Sequence, residues 1–134
     1  MTTMPAKPRS KTTTENDTLT SQRDRWLLAA LPDVPFDGWT AALMTRAADK
    51  TGVDAATLFP RGLPQALDHF ADWADRAMLA HLATLDLKNM RVRDRIAAGV
   101  MARLETLAPH KQAVNAAMAQ GLRPRVLAAR PRWL

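Results

Sequence analysis

FDGWTAALMTRAADKTGVDAATLFPRGL, Phe36 to Leu63, is the stretch whose reading decides the fold. It divides at Gly52 into two short helical segments, with Pro60, Arg61 and Gly62 closing the second. Gly52 is placed as a left-handed stop for a helix over 40–51, and Asp54 as the cap of the next one. Two helices joined by a tight glycine-containing turn make a helix-turn-helix, the shape that normally enters the DNA major groove. The second helix, where a DNA reader carries its contacts, is Asp54, Ala55, Ala56, Thr57, Leu58 and Phe59. It holds one acid, no base, and two alanines too short to reach a base edge. The shape suggests DNA; the chemistry does not.

Charge placement points the same way. The net charge is +6, yet residues 21–60 hold four bases (Arg23, Arg25, Arg46, Lys50) against five acids (Asp24, Asp33, Asp37, Asp49, Asp54). The surplus lies beyond Lys88, and residues 111–134 contain five bases and no acid. Non-specific DNA affinity comes largely from neutralising phosphates, and an acidic reading head forfeits it.

Composition bounds the rest. A chain of 134 residues allows one domain with one modest core. Ala, Leu and Met outnumber β-branched and aromatic residues, which favours helix over strand. The longest apolar run, Trp26 to Leu31, is six residues, far too short to cross a bilayer. Without cysteine there is no disulfide, thiolate metal site or thiol nucleophile. The N-terminus has neither the apolar core of a signal peptide nor an amphipathic transit pattern.

Six helices are expected. Residues 1–20, Thr- and Lys-rich, read as a disordered tail. A first helix follows Thr20 or Ser21 as cap and runs to Leu31, burying Trp26, Leu27, Ala30 and Leu31, with Pro32 and Pro35 ending it. The second, to Thr51, buries Leu43, Met44, Ala47 and Ala48; the third is the short one after Asp54. The fourth starts at Pro64 and carries Leu67, Phe70, Ala71, Ala74, Met78, Leu82 and Leu85 in one stripe. Asn89 is the expected cap of the fifth, with Val92, Ile96, Val100, Leu104 and Leu107 on its buried face. Pro109 opens the sixth, which Gly121 stops. The chain thus divides into a tail (1–20), a helix-turn-helix-like unit (21–63), the first helices of a ligand domain (64–120) and an Arg/Pro-rich tail (121–134). No internal repeat is present.

Candidate chemical groups are few. Asp68, Asp72 and Asp75 with His69 superficially suggest a metal cluster, but a bundle di-iron site needs glutamates with a Glu-x-x-His step. They read instead as a solvated face with Asp72 pairing to Arg76, His69 facing outward. His81 falls in the apolar stripe and is expected to be buried and hydrogen-bonded. Three scattered histidines do not make a zinc site. In MRVRDRI, Arg91 and Arg95 share a face that would suit an anionic partner, while Arg93 is expected either to snorkel from the first turn or to pair with a carboxylate of a neighbouring helix. No nucleophile–base pair, phosphate loop or metal set appears, so no catalytic residue, metal or cofactor is expected. An apolar pocket between bundle helices is the site that remains, lined on periodicity by Phe70, Trp73, Ala77, Met78, Val100 and Leu104.

Four strings, VPFDGW (Val34 to Trp39), LFPRG (Leu58 to Gly62), MRVRDRI (Met90 to Ile96) and LAPHKQAV (Leu107 to Val114), together resemble the Coq-nine family of ubiquinone-biosynthesis accessory proteins. Its alphaproteobacterial members are often labelled rpsU-divergently transcribed proteins. The resemblance spans roughly Arg25 to Ala119 and implies an all-α, TetR-like bundle, usually dimeric. Thr57, Leu58 and Phe59 echo the string that follows the turn in TetR regulators, and Pro60-Arg61-Gly62 departs from it. The implied role is not catalysis. It is the binding of isoprenoid quinone precursors and their delivery to the demethoxyubiquinone hydroxylase, in the cytoplasm or at the inner-membrane surface of a bacterium. The similarity fades after Ala119, so the family's later helices and its membrane-binding helix are expected to be missing. The alternative is a TetR-like DNA-binding transcriptional regulator. A third is a helical module tethered by its basic tail to an anionic membrane or RNA.

Overall fold

The computed structural model describes residues 8–121, with side chains from Thr18 onward, and no described residue is in a strand. The Arg/Pro-rich stretch after Gly121 lies outside the described residues. Helix α1 spans Pro8–Ala30. The disorder expected for residues 1–20 is therefore corrected from Pro8 onward; residues 1–7 lie outside the described residues. Once Leu19 and Trp26 anchor the helix in the core, each earlier residue adds one hydrogen bond at little cost. No proline or glycine interrupts residues 9–30. Pro8 suits the first position, and Pro32 prevents continuation. A 3-10 turn (Leu31–Asp33) and the one-turn helix α2 (Val34–Asp37) follow.

Helix α3 (Ala41–Thr51) has the expected caps. The Thr40 hydroxyl accepts from the Leu43 N–H at 3.3 Å. Gly52 ends the helix at φ 72°, ψ 19°, donating to the Ala48 carbonyl at 2.9 Å. Nothing lies within 4 Å of where a Cβ would sit on Gly52. Gly52→Ala therefore costs only the left-handed backbone penalty, about 1 kcal/mol, readable as a shifted urea midpoint with an unchanged slope. Helix α4 (Ala55–Leu58) is a single turn. Asp54 caps it, accepting from the Ala56 N–H at 3.3 Å and the Thr57 hydroxyl at 3.0 Å.

Helices α5 (Leu63–Leu82) and α6 (Val92–Leu107) form a hairpin through a 3-10 turn at Leu87–Asn89. Arg95 Nε closes that turn on the Leu87 carbonyl at 2.7 Å. Asn89 is not the cap of α6: its amide bonds Asp86, and Arg91 occupies the cap position with no side-chain hydrogen bond. A second 3-10 turn (Ala108–His110) leads into α7 (Lys111–Ala119).

One core cluster joins these elements. The faces expected of α1 and α3 are both in it: Trp26, Leu27, Ala30 and Leu31, then Leu43, Met44, Ala47 and Ala48. Leu58 and Phe59 plug its side, and Phe70, Ala113 and Ala117 continue it past the expected boundary at residue 63. Each buried indole finds an acceptor, as an N–H withdrawn from water must. Trp26 Nε1 donates to the Met44 carbonyl at 3.2 Å and Trp39 Nε1 to that of Ala113 at 3.0 Å. None of the described helices is long and apolar enough to cross a membrane.

Candidate functional site

The aromatic residues form a row that runs from the core to the surface along the start of α5. Trp39 packs on Phe70 at 5.4 Å between ring centroids, and Phe70 on Trp73 at 6.3 Å. Trp73 then meets His110 edge-on at 5.8 Å. Trp39 and Phe70 are buried, whereas Trp73 and His110 are each half-buried. Burial pushes His110 below the usual imidazole range, which keeps it neutral beside the indole. Ala77 and Met78, one turn further along, are also half-buried. Four of the six expected pocket residues thus occupy one stretch of α5.

Val100 and Leu104 do not join them. They are 53% and 58% exposed, in a solvent-facing ridge with Val92 and Ile96. The expected burial of that face is overturned. Gly99 and Ala102 are the buried residues of α6, small enough to let its backbone approach α5, and Arg103 reaches across to Asp75. His81, expected inside the stripe of α5, is exposed as well. It projects at nearly the same angle as Phe70, but beyond the helices that cover Phe70.

Where His81 fails, His69 succeeds. Expected to face outward, it is 8% exposed, with Nε2 2.7 Å from Asp24 Oδ1 on α1. Arg76 grips the same carboxylate with two bonds, at 2.9 and 2.7 Å. Burial would push Asp24 up, but the hydrogen bonds and charges of Arg76 and His69 outweigh it and hold the carboxyl below its ordinary value. Burial pushes His69 down by more than Asp24 pulls it up, so His69 is neutral and donates from Nε2. Arg76 is correspondingly held above its ordinary value, chiefly by its bonds to Asp24. The trio fastens α1 to α5. No sequence signal marks it, because Asp24 and His69 are 45 residues apart.

No family model, no curated protein and no solved structure matches this chain.

Four of the bases around α3 and α4 are engaged within the chain, whereas Arg61 at the end of α4 is exposed and is tied to Gln65 only through its backbone N–H, at 2.9 Å. Arg23 Nε donates to the Leu58 carbonyl at 2.8 Å, its guanidinium 5.5 Å from the Phe59 ring centroid. Arg25 donates to the Thr51 carbonyl at 3.2 Å. Arg46 pairs with Asp37 at 3.1 Å, and Lys50 with Asp33. The outward residues of α4 are Ala56 and Thr57, and the Thr57 hydroxyl is already given to Asp54. Arg95, on the face shared with Arg91, donates to the carbonyls of Leu87 and Lys88. Asp75 pairs with Arg103, and no group among the described residues could hold a metal ion.

Proposed function

We propose that this chain is a non-enzymatic accessory protein that binds an isoprenoid quinone precursor, as the four strings resembling the Coq-nine family imply. The observation that carries it is the aromatic row left half-open at Trp73 and His110, beside half-buried Ala77 and Met78. A flat quinone-type ring stacks on an indole, and a polyprenyl tail gains from covering apolar side chains. Trp73, Ala77 and Met78 are the proposed contacts, with Phe70 as the floor. Val100 and Leu104 face away from α5 and are not assigned to the ligand. In this proposal the bundle is TetR-like and α3–Gly52–α4 is its helix-turn-helix, no longer reading DNA: its second helix is one turn long, and Arg23, Arg25, Arg46 and Lys50 are committed to the chain's own carbonyls and carboxylates. Delivery to the demethoxyubiquinone hydroxylase, at the cytoplasmic face of the membrane, belongs to the same proposal.

The experiment is organic extraction of the purified protein followed by mass spectrometry. A co-purified isoprenoid quinone is expected, and titration with a short-tailed analogue should quench tryptophan fluorescence, with Trp73→Leu weakening binding at least tenfold. A protein that is lipid-free, ignores the analogue, and shifts a DNA duplex in a salt-dependent, sequence-dependent manner would establish the regulator instead.

A further inference from the structure

Trp73 and His110 bring polar groups to the open end of the aromatic row, and no described residue bonds them. The indoles of Trp26 and Trp39 each donate to a backbone carbonyl, but Trp73 Nε1 has no acceptor among the described residues. Neither ring nitrogen of His110 has a hydrogen-bond partner among them either, and none of the three nitrogens is sealed from solvent. The two rings meet edge-on with centroids 5.8 Å apart, so these nitrogens lie within the span of one small aromatic molecule. Burial keeps the imidazole neutral, so it offers one N–H and one lone pair, whereas the indole can only donate.

We propose that Trp73 Nε1 and His110 form the polar end of the ligand site and select an aromatic ring bearing a hydroxyl, a phenol, over an apolar ring of the same shape. A hydrocarbon ring laid on Trp73 takes water from these groups and returns no hydrogen bond, which counts against its binding. A hydroxyl satisfies both: its hydrogen goes to the imidazole lone pair, and its oxygen accepts the indole N–H. A quinone carbonyl only accepts and leaves that lone pair unused, so the phenolic form of a quinone precursor is the favoured one. His110 is thus a specificity-determining residue with no part in chemistry. This assignment rests on the aromatic row being the ligand site and adds the class of ring it takes.

The probes are 2-naphthol and 2-methylnaphthalene, which differ by a hydroxyl against a methyl group of similar size. Equilibrium dialysis should show 2-naphthol bound roughly tenfold more tightly, the scale set by two neutral hydrogen bonds. In nitrogen-15 spectra 2-naphthol should shift the Trp73 indole N–H, identified by its loss in Trp73→Phe, and 2-methylnaphthalene should shift it less. His110→Phe keeps an aromatic edge against Trp73 and removes both nitrogens. It should cut the preference to about threefold or less while 2-methylnaphthalene binds as well as before, and His110→Gln should restore part of it, since an amide both donates and accepts. Equal affinities for the two probes, or a preference that His110→Phe leaves intact, would overturn the proposal and leave an apolar stacking site standing. Failure of both probes to bind would overturn the aromatic row as a ligand site, and this assignment with it.

Discussion

Trp39→Ala is expected to be among the most damaging substitutions at the described residues. Trp39 is 1% exposed, stacks on Phe70, and ties the turn before α3 to the Ala113 carbonyl of α7, 74 residues away. Removing a buried tryptophan costs about 3–5 kcal/mol, a large part of the roughly 5–15 kcal/mol that holds a domain together. In a domain of this size that corresponds to a fall in Tm of roughly 10 °C or more. Trp39→Phe separates the two roles, because it keeps a ring against Phe70 and loses only the N–H and part of the volume. It should cost about 1–2 kcal/mol, since Ala113 loses a donor while no buried donor is left orphaned. Thermal unfolding followed by circular dichroism measures both. Equal shifts for the two variants would show that the hydrogen bond, not the indole's bulk, anchors α7.

What was legible follows from which signals are local. The caps of α3 and α4 were readable because Thr40, Gly52 and Asp54 act on backbone groups within four residues of themselves. The buried faces of α1 and α3 were readable because both helices meet partners along their apolar sides. Periodicity failed on α6 for a physical reason: it reports where apolar side chains point, not whether anything comes to cover them. Gly99 and Ala102 won the inner face by being small, leaving larger residues outside. The histidines of α5 were misplaced by the same limit. His81 projects with Phe70 but lies where no described helix covers it, while His69 leaves the stripe to meet Asp24 of α1. Nothing near His69 in the chain announces that partner. The half-open end of the aromatic row was only partly legible: Trp73 was expected in the pocket lining, but its contact with His110 lies across the α5–α6 hairpin.

Asp24→Ala is the second large effect expected, and it acts through charge rather than volume. It strands two groups at once: the Arg76 guanidinium and the 8% exposed His69 ring. Breaking a fully buried ion pair costs about 3–5 kcal/mol. Arg76 is 41% exposed and Asp24 26%, so water screens part of the loss and about 2–3 kcal/mol is expected. Asp24→Asn should recover a fraction of this, since an amide oxygen still accepts from His69 but carries no charge for Arg76. The same trio makes stability depend on pH with a definite sign. His69 has its folded pKa below the ordinary imidazole value of 6.5, so between the two values the unfolded chain binds more protons. Its contribution is therefore fully present above pH 6.5 and is lost as the pH falls through the folded value. His110, lowered by burial, adds to the same window with the same sign. Asp24, held below 3.8, contributes stability that is present above that pH and is lost only in stronger acid. Urea midpoints at pH 7.5 and 5.5 check the assignment: His69→Gln should flatten the difference between them, and His110→Gln should remove a further part. A midpoint that rose on acidification would mean that His69 is charged in the folded chain, with Asp24 and Arg76 arranged around a cation; a difference untouched by both histidine substitutions would mean that neither ring titrates differently in the folded and unfolded chains.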